Sequence, residues 1–280
     1  MSTCRRNRNS TGCLKPQSGA ALLVILIVVI LTGAAIFVTS YNPSRYKVKT
    51  NKLSSRALQH AKDALLGWAV THPDTPGMLP WPDHPTDGNY DGNSDCLNQA
   101  PAHTNLSGRL PWLGQTAPCV APLSGLGIQA LDGSGQRFWY AASPNLVYDY
   151  STNQPPAINS NTRNLGTGWL TVRDSLGNVL SNKVAFVVIA PGRVVGSQVR
   201  NGSTPAIGQF LDSATINGST YSNADSNGVF VSAPHSDTFN DVLIYATVDE
   251  LMDKVEKVVG KDKTKCENYY GVGDPKCAGL

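Results

Sequence analysis

From Ala20 the chain reads Ala-Ala-Leu-Leu-Val-Ile-Leu-Ile-Val-Val-Ile-Leu and continues uncharged through Tyr41, a run of 22 residues. At about 1.5 Å per residue a helix of that length reaches roughly 33 Å, enough for a hydrocarbon core of about 30 Å. The run is longer than the about 7–15 apolar residues of a secretory signal peptide. It is also apolar on every face and follows a charged tail directly, which an ordinary core helix does not. The expectation is a membrane-spanning helix over residues 20–41.

Charge sorts around this segment. Arg5, Arg6, Arg8 and Lys15 precede it with no acid among the first 19 residues, leaving 19 of the 23 bases against 20 acids in the rest. A nucleic-acid binder carries its excess on a folded surface rather than on a tail, so no nucleic-acid partner is expected. On the other flank lie Arg45, Lys47, Lys49, Lys52 and Arg56, so the positive-inside count does not set the orientation. Cys4 and Cys13 lie in the tail, while Cys96, Cys119, Cys266 and Cys277 lie beyond the apolar run, an even set able to form two bridges in an oxidising compartment.

Basic tail, Gly19 and an apolar helix beginning at once resemble the class III signal of type IV pilins and type II secretion pseudopilins. The resemblance implies cleavage by a prepilin peptidase between Gly19 and Ala20, N-methylation of Ala20, and a 1–19 cytoplasmic leader. It implies a single-pass inner-membrane protein with a periplasmic globular domain, at a filament tip or cell surface. Val24 stands where most family members have a glutamate, a loss the family tolerates in minor subunits at the tip, and the Gly-Ala-Ala-Leu-Leu-Val opening is similar to that minor class.

Leu53, Ala57, Leu58, Ala61, Ala64, Leu65, Trp68 and Ala69 recur at spacings of three and four, which predicts an amphipathic continuation of the helix over 42–70. Pro43 kinks the junction, and Pro73 and Pro76 lie beyond the end. Residues 71–122 read as an irregular region, too long to be held without a fixture. A Cys96–Cys119 bridge would contribute about 3 kcal/mol by loop entropy. Asp87, Asn89 and Asp91, with Gly92 at the turn, Asn93 offering a carbonyl and Asp95 at the ninth position, follow the D-x-[DN]-x-[DN]-G pattern. These hard oxygen ligands suit a structural Ca²⁺, which the tip pseudopilin also uses; Asn98 replaces the twelfth-position glutamate, and a metal-free Asp/Asn/Gly turn is the competing reading.

Gly77 to Asp83 and Gly108 to Gly114 echo each other as Pro-Trp segments and resemble "G-x-L-P-x-P-D" and "G-R-L-P-W-x-x-L-G" pieces of a pilin-like group. Asn240 and Asp241 match its "F-N-D" element, to which only a local turn is assigned. Their tryptophans read as caps on a core or as a sugar- or peptide-binding surface.

Strand signals occupy residues 123–248: 137–141, 169–172, 184–189, 229–231 and 242–246, with a hairpin turn at 174–178. Val184–Ile189 is apolar on both faces and reads as central. Residues 249–280 read as a short helix and a Cys266/Cys277 loop, although the sequence leaves the pairing of the four outer cysteines open. The expected fold class is α+β: a long N-terminal helix, half transmembrane and half amphipathic, packed on an antiparallel β-sheet in the pilin manner.

No catalytic pattern emerges. His60, His72, His84, His103 and His235 are scattered, no G-x-S-x-G elbow or P-loop occurs, and His235-Ser236-Asp237 are sequence neighbours that rarely meet as a triad. The expected function is a non-enzymatic minor pilin or pseudopilin subunit of a type IV pilus or type II secretion filament. Its expected partners are other pilins through the N-terminal helix, the prepilin peptidase and the inner membrane. The alternative is a membrane-anchored binding or adhesion module that never polymerises.

Overall fold

The computed structural model describes residues 18–40, 43–85, 88–115, 119, 125–202 and 204–280. The chain forms two compact units, Met1–Lys47 and Val48–Leu280.

The first unit contains helix α1 (Ser18–Ser40). Ten consecutive side chains, Leu22 to Leu31, are each 46–71% exposed. Thr32 turns its hydroxyl back onto the carbonyls of Val28 and Val29, 2.7 and 3.0 Å away, as a hydroxyl on an apolar helix must. Helix α2 (Pro43–Val70) starts with proline in its first turn, where the missing N–H is harmless.

Two sequence expectations are corrected here. Among the described residues no helix is long and apolar enough to cross a membrane. Helix α2, which follows α1, carries five bases in its first half, Arg45, Lys47, Lys49, Lys52 and Arg56. The single-pass inner-membrane placement and the pilin-like long helix with a transmembrane half are therefore not upheld. The leader residues 1–17 lie outside the described residues, while Gly19 and Ala20 fall in the first turn of α1.

The second unit is α+β. Its strands are β1 (Asn93–Ser94), β2 (Ser107–Arg109), β3 (Gly114–Gln115), β4 (Trp139–Ala142), β5 (Leu170–Arg173), β6 (Val179–Ala190), β7 (Ser213–Ile216), β8 (Ser219–Ser222), β9 (Val229–Val231) and β10 (Val242–Thr247), followed by helices α3 (Val248–Val259) and α4 (Lys263–Tyr270). The main sheet runs β2-β4-β6-β5-β9, with β10 on the other side of β6. β6 is the central strand, and its second half is paired on both edges. The sheet is mixed rather than antiparallel, because β9 lies parallel to β5. After β6 the chain makes the separate β7–β8 hairpin and returns to β5 in the same sense, a crossover that no tight turn could supply.

Alternation sends the two faces of the sheet into two cores. Tyr140, Ala142, Phe186, Val188 and Ala190 pack with Leu58, Ala61, Leu65, Leu66 and Ala69 of α2 and with Val248, Leu251, Met252, Val255 and Val259 of α3. Trp139, Ala141, Val187 and Ile189 pack on the opposite face with Leu170, Val172, Phe210, Leu211 and Phe230. Thr247 caps α3 by accepting from Glu250 N, with Asp249 and Glu250 in the first turn and Lys257 in the last, which suits the helix dipole.

Candidate functional site

The segments that echo each other in sequence meet in space. Asp83 N donates to Arg109 O at 3.0 Å and Arg109 N to Asp83 O at 2.8 Å, so the 77–83 segment extends the sheet beyond β2. Gly108 is required there: a Cβ would lie 2.6 Å from the Asp83 carbonyl oxygen and 2.8 Å from Pro82 Cβ. Trp81 is buried with its indole N–H on Tyr148 O at 2.8 Å, and the Tyr140 hydroxyl reaches Pro80 O at 3.1 Å. Trp112 and Leu113 both donate to Gly92 O. Gly92 has φ +97°, and a Cβ there would collide with the Trp112 indole. The two tryptophans thus act as packing plates that close the irregular region rather than as a shared surface.

At the centre of this crossing lies a buried charge cluster. Asp83 Oδ2 accepts from Gly92 N at 2.9 Å and from the Arg137 guanidinium. Arg137 also donates to Tyr90 O at 2.6 Å, so the pair grips the 88–92 loop from inside. Burial pushes the Asp83 carboxyl up to about 6, against the opposing hydrogen bond and charge of Arg137. Its Oδ1 is buried and has no hydrogen-bond partner among the described residues. Arg109 lies over both Trp139 and Phe210, 4.2 and 4.0 Å from ring centroids that are themselves 5.6 Å apart, with Nη1 on Arg137 O. Burial, with Arg137 adding like charge, pushes Arg109 down to about 9.

Beyond Phe210 the cluster continues into the 191–212 loop. Arg200 packs over the Phe210 ring, 4.8 Å from its centroid, and donates to the carbonyls of Gly192, Gln209 and Phe210 and to Gln198 Oε1. Asp212 and Asp241 bind each other's backbone, and Asn223 Nδ2 donates to Asp241 Oδ2 at 2.9 Å. Burial raises both carboxyls, and for Asp241 the Asp212 charge adds to it. Asn240 Nδ2 holds Arg193 O at 2.8 Å, and a Cβ on Gly192 would strike the Asn240 side chain. The Phe239-Asn240-Asp241 element therefore ties down a long loop, a larger role than the local turn expected of it. The Asp212 and Asp241 carboxylates accept from backbone amides, an arrangement that fixes segments.

The four outer cysteines form two bridges, and the pairing left open by the sequence is Cys96–Cys119 and Cys266–Cys277, with Cα separations of 5.1 and 5.7 Å. The expected calcium ligands are dispersed in their uses. Asp91 accepts from Asn93 N and Asn93 Nδ2, both at 2.7 Å, which makes a turn closed on itself. Asp95 is buried and accepts from His84 N at 2.6 Å; Asn89 is exposed; Asp87 lies outside the described residues. Among the described residues no group of three or more His, Cys, Asp or Glu could hold a metal ion. His235, Ser236 and Asp237 sit exposed before β10.

Sequence reasoning missed Arg109, Arg137, Arg200 and Asp212. The one local signal was Arg109 inside the Gly-Arg-Leu-Pro-Trp segment, since an arginine amid apolar residues must find aromatic or carbonyl partners once buried. Compared with known proteins, the chain matches no family model, no curated protein and no solved structure.

Proposed function

We propose that the chain is a minor pilin or pseudopilin-like subunit, processed after Gly19 and assembled into a filament through α1. The supporting observation is the α1 surface: ten successive large apolar residues, Leu22 to Leu31, exposed within their own chain and without a charge. A helix apolar all round is stable only when something encloses it, and neighbouring helices of the same kind do so in a filament. The two disulfides agree with an oxidising compartment for the β-rich unit. Val24, in place of the family's usual glutamate, suits a minor rather than a major subunit.

In this reading the buried cluster at Asp83, Arg109 and Arg137 is a scaffold that holds the 83–115 region in shape for contacts with other subunits. A photo-crosslinking residue in place of Ile27 tests the assembly: on irradiation it should link to the apolar N-terminal helix of another subunit, identified by the mass of the linked peptide. Failure to link in cells making the whole filament apparatus would overturn the assembly reading.

Structural Ca²⁺ at the 87–95 loop is the finer part of the proposal, supported by the ligand spacing. Thermal unfolding with and without chelator tests it: a midpoint raised by millimolar calcium and lost on chelation is expected, and an unchanged midpoint removes calcium from the account.

A further inference from the structure

The outer edge of β10 is open. Ser143 N donates to Ala185 O, which sets the alternation along β6: residues 185, 187 and 189 face β4, and residues 186, 188 and 190 face β10. Their partners on β10 are Ala246, Ile244 and Val242. Leu243 and Tyr245 consequently direct their N–H and C=O groups away from the sheet, and among the described residues none of these groups has a backbone partner. Natural sheets blunt such edges with lysine, proline or a mid-strand bulge. Val242 to Ala246 has none of these; the register shift lies at the end, between Ala246 and Thr247.

We infer that a second copy of this chain pairs with this edge, β10 against β10, in an antiparallel two-fold contact centred on Ile244. The occupant follows from three observations. The strand carries no charge, so two copies approach without like-charge repulsion. Among two-fold registers, the one centred on Ile244 uses every open group of Leu243 and Tyr245, because Asp241 N–H is held by Asp212 at one end and Thr247 is the cap of α3 at the other. Within those limits Leu243 faces Tyr245 of the second copy twice, closing four backbone hydrogen bonds and two aliphatic–aromatic pairs, while the two Ile244 side chains meet on the opposite face. This contact uses the β-rich unit alone and goes beyond assembly through α1.

The full chain with Cys4→Ser and Cys13→Ser provides the background for the test, since its other four cysteines are bridged. In a non-hydrogen-bonded pair the Cα atoms lie about 4.5 Å apart, within disulfide reach, so Ile244→Cys should give mostly covalent dimer on a non-reducing gel. Leu243→Cys faces a tyrosine and should stay monomeric. Leu243→Pro removes one outward N–H without touching the β6 ladder and, added to Ile244→Cys, should reduce the dimer at least tenfold. Tyr245→Lys, which charges the edge, should do the same if the proline variant does not fold. Monomer from Ile244→Cys, equal linking at 243 and 244, or dimer that survives both edge variants would overturn the inference.

Discussion

Asp212 and Asp241 hold each other's backbone: Asp212 N donates to Asp241 Oδ2 at 2.8 Å, and Asp241 N donates to Asp212 Oδ2 at 3.1 Å. Asp241 Oδ1 has no hydrogen-bond partner among the described residues, and both carboxyls are raised, for Asp241 by burial first and the Asp212 charge second. A carboxyl with a raised folded-state pKa contributes stability below its unfolded value of about 3.9, and that contribution is lost as pH rises through the folded value. Asp241→Asn keeps the accepting oxygen and removes the ionisation. Relative to the native chain it should gain thermal stability between pH 4 and 8, by about 3 °C, the shift that roughly 1 kcal/mol produces in a domain of this size. A difference between the two proteins that does not change with pH would contradict this assignment.

Asp83 follows the same sign with a defined window. Its folded-state value of about 6 lies above the unfolded value, so its contribution is present below about pH 4 and lost as pH rises through 6. Asp83→Asn should flatten the dependence of the unfolding midpoint on pH across that window. Asp83→Ala removes the acceptor of Gly92 N and leaves Arg137 without its acid, which should cost about 3 kcal/mol. Amide exchange at Gly92 should quicken in the alanine variant, and unchanged protection there would show that the loop is held by something else.

Gly108 separates steric need from backbone freedom, because its requirement comes from the Asp83 carbonyl and Pro82 rather than from a positive φ. Gly108→Ala should destabilise by about 2 kcal/mol as the 77–83 segment is pushed off β2. Gly166→Ala, where a Cβ would meet nothing within 4 Å, should stay within about 0.5 kcal/mol. Equal midpoints for the two variants in denaturant would remove the close approach from the account.

What was legible in the sequence was periodic and local. The α2 stripe at Leu58, Ala61, Leu65 and Ala69 is buried, with Leu66 added and Leu53 left exposed. Strands 229–231 and 242–247 and the Asp174 turn follow from β-branched runs and an Asx turn whose carboxylate accepts from Leu176 N and Asn178 N. The β7–β8 hairpin was missed although Asn217-Gly218, both at positive φ, carries the two-residue turn signature. Helix α4 was missed too, with Asp262 as its cap. The parallel pairing of β5 and β9 and the Asp212–Asp241 grip join residues 29 or more apart, and no window of sequence holds such a pair. Apolar length alone overstated the membrane reading.

Mass spectrometry of the mature N-terminus, from cells with and without prepilin peptidase, tests the filament-subunit proposal most directly. The expected result is a chain beginning at N-methylated Ala20 only when the peptidase is present. A chain that keeps Met1 in both strains would contradict it.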